Sequence, residues 1–425
     1  MVKNYMNRIC DQMLQDKLES KGAVLIKGAK WCGKTTTGEH MAKSIIYMED
    51  PAKKQQYLLM ADMNPGQLLE GEVPHLIDEW QLAPKIWDAV RFEVDQRDEF
   101  GQFILTGSAV PPESSQISHT GTGRITSLMM RPMSLFESGD SNGNVSLGNL
   151  FSSDDTIAGT CDYTLDDIAF LACRGGWPKS IGQRKKVALT QALDYVDSVV
   201  ESDISRVEGI ERDSERARKI LRAYARNVAT EASLKSILND IKSDNSDTFS
   251  ETTLRSYLSV LRKIFVIEDT TAWNPNLRSK TAIRSSDTRY FVDPSIATAS
   301  LGVGPNDLIN DLATTGLIFE NLCVRDLRIY AESLDGKIYH YRDKRGLECD
   351  AVVHLRNGKY GLVEIKLGGD KLIEEGASNL LKLKDSIDCN KMNEPSFMMV
   401  LCGVAPFAYK RKDGVLVVPV GCLKN

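Results

Sequence analysis

The stretch Val24-Leu25-Ile26-Lys27-Gly28-Ala29-Lys30-Trp31-Cys32-Gly33-Lys34-Thr35-Thr36 decides how the rest of this chain is read. Its apolar start predicts a buried strand, and Gly28-x-x-x-x-Gly33-Lys34-Thr35 has the spacing of a P-loop. Glycines at that spacing let the backbone turn tightly, so that the N–H groups of Gly28, Ala29, Lys30, Trp31, Cys32, Gly33, Lys34, Thr35 and Thr36 can face a phosphate chain. Lys34 supplies a point charge for the β- and γ-phosphates, and Thr35 a hydroxyl for Mg²⁺. A helix over 36–44 then begins with the positive end of its dipole at the same anion. ATP and Mg²⁺ are the cofactors this pattern predicts.

Working outward, Val73-Pro-His-Leu-Ile-Asp78-Glu79-Trp-Gln runs from apolar residues to two carboxylates. That is what a Walker B strand end requires: Asp78 to hold Mg²⁺, and Glu79 to take a proton from the attacking water. Gln102-Phe-Ile-Leu-Thr106-Gly107-Ser108 reads as a further strand whose terminal hydroxyl, Thr106 or Ser108, would sense the γ-phosphate. Gly121-Thr-Gly-Arg124 and Arg131-Pro follow. An arginine here fits a finger that stabilises charge on the departing phosphoryl group of a neighbouring copy, with Arg124 favoured, and this implies a homo-oligomer.

Composition bounds the rest. The chain has 425 residues, 42% hydrophobic and 26% charged, which is ordinary globular material with room for several domains. Nine scattered cysteines without a CxxC pair argue against a disulfide framework or a zinc site and for a reducing, cytoplasmic setting. No apolar run approaches the length of a membrane span, and Met1-Val-Lys-Asn-Tyr5 lacks an apolar signal region. A net charge of −5 leaves nucleic acid open as a partner, because a local basic face decides that.

Together, the order strand, P-loop, helix, Leu76-Ile-Asp-Glu-Trp-Gln81, Leu105-Thr-Gly-Ser108, Gly123-Arg124 and Arg131-Pro-Met-Ser-Leu-Phe-Glu137 resembles prokaryotic AAA-type ATPases of the STAND/archaeal-ATPase branch, which carry a C-terminal domain of unknown function. Trp80 fills the apolar slot of that family's Asp-Glu-(apolar)-Gln segment, and Cys32 replaces a small residue in the phosphate loop. The resemblance implies that Cys173-Arg174-Gly175-Gly176-Trp177-Pro178 opens a helical lid from which Arg174 reaches the nucleotide as a second sensor. A helix C-cap made by the two glycines explains the same turn without a function.

From Arg216 to about Tyr290 the pattern changes to three short helices and two strands joined by a basic loop, the layout of a winged helix-turn-helix. Arg255, Arg262 and Lys263 on its third helix and Arg278, Lys280 and Arg284 in the wing would contact phosphates more than base edges. Further on, Glu320 lies on a helical pattern, and Glu348-Cys-Asp350 and Val363-Glu364-Ile-Lys366 lie on strands around the hairpin signal Asn357-Gly358. Glu364 and Lys366 have one parity, and Asp350 on the next strand can face them. Two carboxylates for Mg²⁺ and a lysine for water suit phosphodiester hydrolysis. The set resembles the PD-(D/E)xK nuclease core.

The expected fold class is therefore α/β: a P-loop AAA-type core over 1–158, a helical lid over 159–215, a winged helix-turn-helix over 216–300 and a restriction-nuclease-like α/β domain over 301–425. Three outputs fit it. They are a DNA-associated switch or motor driven by Mg²⁺-dependent ATP hydrolysis, an ATP-gated metal-dependent DNA nuclease, and a signalling or scaffold ATPase that binds a protein partner through its C-terminal domain.

Overall fold

Two compact units make up the chain in a computed structural model that describes residues 5–107, 121–152, 157–206, 210–242, 249–274, 286–387 and 392–425. The first comprises Met1–Pro132 with the short pieces Ser205–Ile210 and Lys263–Phe265. Its sheet has five strands: β1 (Ala23–Lys27), β2 (Ser44–Tyr47), β3 (His75–Asp78), β4 (Phe103–Gly107) and β5 (Ile125–Met129). They run parallel in the order β2-β3-β4-β1-β5. Strands covered on both faces read as continuous apolar runs, as Val24-Leu25-Ile26 does. Side-chain alternation then divides them between two cores. Val24, Ile26, Leu76 and Ile104 meet Leu14 and Leu18 of helix α1 (Cys10–Ser20). Leu25, Ile77, Phe103 and Leu105 meet Ile86, Val90 and Val94 of helix α4 (Lys85–Arg97). Each such side chain, fully buried, contributes roughly 1.5–3 kcal/mol. These two layers, with helices α2 (Lys34–Met41) and α3 (Lys54–Met63), hold the carboxyl ends of the strands in register.

The order has one consequence for chemistry. β4 lies between the strand that leads into the phosphate loop and the strand that carries Asp78, so Thr106 is the lateral neighbour of both Ile26 and Asp78.

The second unit comprises Met133–Ile204, Glu211–Arg262 and Val266–Asn425. Residues 133–158, expected to close the ATPase core, belong to it. The reason is hydrogen bonding over long sequence distance: Leu135 N–H donates to Asp326 Oδ2 at 3.0 Å, and β6 (Val145–Ser146) pairs with β14 (Leu423–Lys424). The remaining strands are β7 (Gly159–Thr160), β8 (Gly336–Arg342), β9 (Glu348–Leu355), β10 (Tyr360–Gly368), β11 (Phe397–Val404), β12 (Phe407–Lys410) and β13 (Leu416–Pro419). They form a seven-stranded mixed sheet in the order β7-β12-β13-β11-β10-β9-β8. The helix Asp370–Ser386 covers one face through Ile373, Ala377, Leu380 and Leu383. The 22-residue helix Leu312–Ser333 also packs on this sheet, against β8, β9 and β10. Helices Ser214–Arg226, Leu234–Lys242 and Glu251–Lys263 are followed by two antiparallel bridges, Ile267 with Phe291 and Thr270 with Thr288. The buried helix Pro294–Leu301 packs on Ser214–Arg226, on Leu165–Arg174 and on Leu312–Ser333.

Candidate active site and a second polar cluster

In the first unit the chain leaves β1 at Lys27 and turns at Gly28, whose φ is +154°. A Cβ at Gly28 would stand 2.0 Å from the Met130 carbonyl oxygen, so no other residue fits against the end of β5. Gly33, at φ +106°, ends the loop and caps α2. Lys34 is buried, and its Nζ donates to the Ala29 carbonyl at 2.8 Å, closing the loop on itself. Cys32 is buried too, with its thiol on the Met130 carbonyl at 3.4 Å. Trp31 sits in the left-handed region at φ +64° and is 41% exposed. Lys30, Thr35 and Thr36 are half-buried.

The ends of β3 and β4 and the start of α2 meet at one oxygen. Asp78 Oδ1 accepts from Thr35 Oγ1 at 2.7 Å and from Thr106 Oγ1 at 2.6 Å. Next to it Glu79 takes the left-handed conformation, φ +57°, and its carboxylate accepts from the Gln81 side-chain amide. Burial raises the Glu79 pKa; Lys34 opposes that rise and Asp78 adds to it. Gln81 Oε1 and Trp80 Nε1 are buried without a hydrogen-bond partner. Both crowd Gly107, where a Cβ would come within 2.6 Å of Gln81 Oε1. A hydroxyl and a carboxylate side by side at a glycine-built phosphate cradle form a hard-oxygen donor set, which fits Mg²⁺. The cradle and Lys34 fit the anion.

The structure thus brings together Lys34, Thr35, Asp78, Glu79 and Thr106. Ser108 lies outside the described residues. Arg124 is elsewhere: the parallel register aligns Ala23 with Ile125 and Lys27 with Met129. Arg124 therefore stands at the amino ends of the strands, away from the phosphate loop at their carboxyl ends, largely exposed, with its Nε on Asp95 Oδ1 at 2.6 Å. It does not reach its own subunit's site. Sequence reading missed Gln81, although its place in the Asp-Glu-Trp-Gln segment was visible. It also missed Arg8, whose guanidinium donates to the Cys32 and Arg131 carbonyls, both at 2.8 Å.

Arg174, expected at the nucleotide, has other work in the second unit. Its guanidinium makes a two-pronged pair with Asp140 at 3.1 and 2.6 Å, and its Nε donates to the Gly175 carbonyl. This buried fork anchors the turn that follows the helix Leu165–Arg174.

Four more residues, widely spaced in sequence, do converge in that unit. Lys366 Nζ lies 2.6 Å from Glu364 Oε2 and 3.3 Å from Asp350 Oδ2. Asp350 Oδ2 also accepts the Ile365 N–H at 2.7 Å. Glu320 accepts from the Tyr290 hydroxyl at 2.5 Å. Burial and then the Asp350 charge raise Glu320 well above the carboxylate range and push Glu364 up to about 8. Burial works against the Lys366 cation, yet Asp350 and Glu364 together hold its pKa above the ordinary value. Glu364 Oε1 is buried without a hydrogen-bond partner. Among the described residues no group of three or more His, Cys, Asp or Glu side chains is arranged to hold a metal ion.

The basic helix is less free than its sequence suggests. Arg255 pairs with Glu251 at 2.5 Å, and Arg262 and Arg289 share Asp269 at 2.6 and 2.9 Å. Arg278, Lys280 and Arg284 lie outside the described residues. No described helix is long and apolar enough to cross a membrane.

Comparison with known proteins matches three stretches to family models. Residues 20–138 match an AAA domain, residues 165–307 a domain of unknown function (DUF8612), and residues 315–423 a second domain of unknown function (DUF4143). Two similar uncharacterized proteins, from Mycobacterium bovis and Mycobacterium tuberculosis, are each 24% identical over 361 residues, covering 83% of this chain and 72% of the relative. A Walker-type ATPase of Pyrococcus abyssi aligns in structure at 15% identity with a TM-score of 0.41, over 70% of this chain and 96% of that one. The AAA domain match supports a P-loop ATPase that binds and hydrolyses ATP.

Proposed function

We propose that the chain is a Mg²⁺-dependent ATPase whose nucleotide state drives a DNA-associated switch. The observation that carries the ATPase part is the shared oxygen: Asp78 Oδ1 accepts from both Thr35 and Thr106, which supports roles for the three in holding metal and sensing the γ-phosphate. The loop N–H groups receive the phosphates. Lys34 exchanges the Ala29 carbonyl for a phosphate oxygen, a neutral acceptor for a charged one. Thr35 and Asp78 would hold the metal, which when bound would neutralise charge on the phosphates. Glu79 accepts the proton of the attacking water at its carboxylate, and Gln81 fixes the orientation of that carboxylate. Burial raises the basicity of Glu79, Lys34 opposes that rise and Asp78 adds to it, and a more basic carboxylate is the better proton acceptor. Thr106 ties Asp78 to the strand between the two motifs and would sense the γ-phosphate.

The three helices and the bridged pair after them support the DNA part through their winged-helix order. The test is ATP turnover by the full chain with Mg²⁺, with and without double- and single-stranded DNA, beside Glu79→Gln. DNA binding with a changed rate is expected. DNA that neither binds nor alters turnover removes the DNA part and leaves the ATPase.

A second reading, metal-dependent cleavage of DNA, is favoured by the convergence of Asp350, Glu364 and Lys366 with one unpartnered Glu364 oxygen. Asp350 and Glu364 would hold the ion, and Lys366 would orient the water. Cleavage in Mg²⁺ or Mn²⁺ that is lost in Lys366→Ala supports it; cleavage that survives the substitution points to contamination.

A further inference from the structure

The segment before α1 grips the phosphate loop and the helix that follows it. Arg8 is 7% exposed. Its Nη1 donates to the Cys32 carbonyl and its Nη2 to the Arg131 carbonyl, each at 2.8 Å. Its backbone N–H is held by Asp11 Oδ2 at 2.8 Å, and the other Asp11 oxygen accepts from the Tyr5 hydroxyl at 2.6 Å. Tyr5 in turn lies 3.1 Å from Thr37 Oγ1 and stacks on His40 at 4.0 Å, both on the helix that follows the loop. Residues 5–11 therefore buckle the loop and its helix from one side, while the Met130 carbonyl presses on Gly28 and Cys32 from the other.

The contact at Cys32 matters because the peptide unit is planar and trans. The Cys32 carbonyl and the Gly33 N–H belong to one unit and point in opposite directions. A guanidinium that fixes the carbonyl on the outside of the loop fixes the N–H on the inside, where the phosphate chain is received. The second prong ties the same loop to the end of β5. A planar fork does both at once; an ammonium is a point donor and cannot.

We infer that Arg8 is a positioning residue for the nucleotide: it holds the phosphate loop in its anion-receiving shape, and nucleotide affinity depends on it. This rests on the reading of the loop as an ATP site. Arg8 touches no reacting atom, so its loss acts on binding more than on the chemical step.

The experiment is calorimetric titration of the full chain with Mg-ADP, steady-state turnover of Mg-ATP, and thermal melting with and without nucleotide, for wild type, Arg8→Lys and Arg8→Ala. Arg8→Lys is expected to weaken Mg-ADP binding and raise KM roughly tenfold with kcat within about threefold, and Arg8→Ala to weaken binding roughly a hundredfold. The melting temperature of the nucleotide-free chain reads the fold, and the increment on adding Mg-ADP reads the site. Folded variants that bind Mg-ADP as wild type does, or that melt lower with an unchanged increment, overturn the inference. Should Arg8→Ala fail to fold, Arg8→Lys decides alone. A wild-type chain that binds no nucleotide overturns the ATP reading itself, whereas wild-type binding with unaffected variants overturns the role of Arg8 alone.

Discussion

Two lysines, buried Lys34 at the start of α2 and half-buried Lys366 on β10, each sit beside carboxylates, but they are held differently. Lys34 donates to a neutral backbone carbonyl, whereas Lys366 stands between two carboxylate side chains. An incoming phosphate therefore offers Lys34 a stronger partner than the one it leaves. At Lys366 an incoming phosphate must compete with Glu364 and Asp350, and the ion pair already satisfies much of the local charge. Likeness to an active site is thus better judged by what a cation would have to give up than by which residue types are gathered.

The comparison can be broken at its strongest point first. Lys34→Ala should lower ATP turnover roughly a thousandfold, because Lys34 is held at the loop by a neutral carbonyl that a phosphate can replace; near-normal turnover in a Lys34→Ala protein would remove the distinction. Glu79→Gln should lower kcat roughly a hundredfold while Mg-ATP still binds, as a calorimetric titration beside the turnover assay can establish.

The second lysine is tested through stability. Lys366→Ala removes the cation that stands between buried Glu364 and half-buried Asp350 and should cost about 3 kcal/mol, read from urea denaturation. A Lys366→Ala protein as stable as wild type, yet without cleavage activity that the wild type has, would put Lys366 in the same class as Lys34. The pH dependence sharpens this. The folded-state pKa of Glu364 is raised from 4.5 to about 8 by burial and by Asp350, so the native state holds a proton that the unfolded chain releases. The contribution of this group is fully present below about 4.5 and is lost as pH rises toward 8. Urea midpoints should decline across that window, and Glu364→Gln should flatten the decline. The smallest effect is expected at Arg124→Ala, which should leave turnover within about twofold. A large loss of turnover there would mean that a second copy brings Arg124 to the site.

What could be read in advance follows from how far each feature reaches along the chain. The phosphate loop was legible because Gly28, Gly33, Lys34 and Thr35 act within one turn of backbone. Asp78 and Glu79 were legible because an apolar run points at them. The placement of Thr106 between those motifs depends on β4 inserting beside β1, which is a property of the sheet and not of any local pattern. The pairing of Arg174 was hidden for the same reason: its turn is visible in Gly175-Gly176-Trp177-Pro178, but its partner Asp140 lies 34 residues upstream. Parity correctly suggested that Glu364, Lys366 and Asp350 face one another. It carried no information on whether the lysine would be free or doubly paired.

The strand pairs at the margin of the second unit bear on how the chain is made. β6 meets β14 and β7 meets β12, so residues near 145 and 160 wait for partners near 424 and 408. The parallel sheet of the first unit has all its strands once residue 129 has been synthesised. At ribosomal speeds of about 5–20 residues per second, the wait for β14 lasts on the order of 15–60 s. During that interval Val145 and its neighbours are unpaired strand edge on a nascent chain, and this is the period in which a chaperone would have most to do.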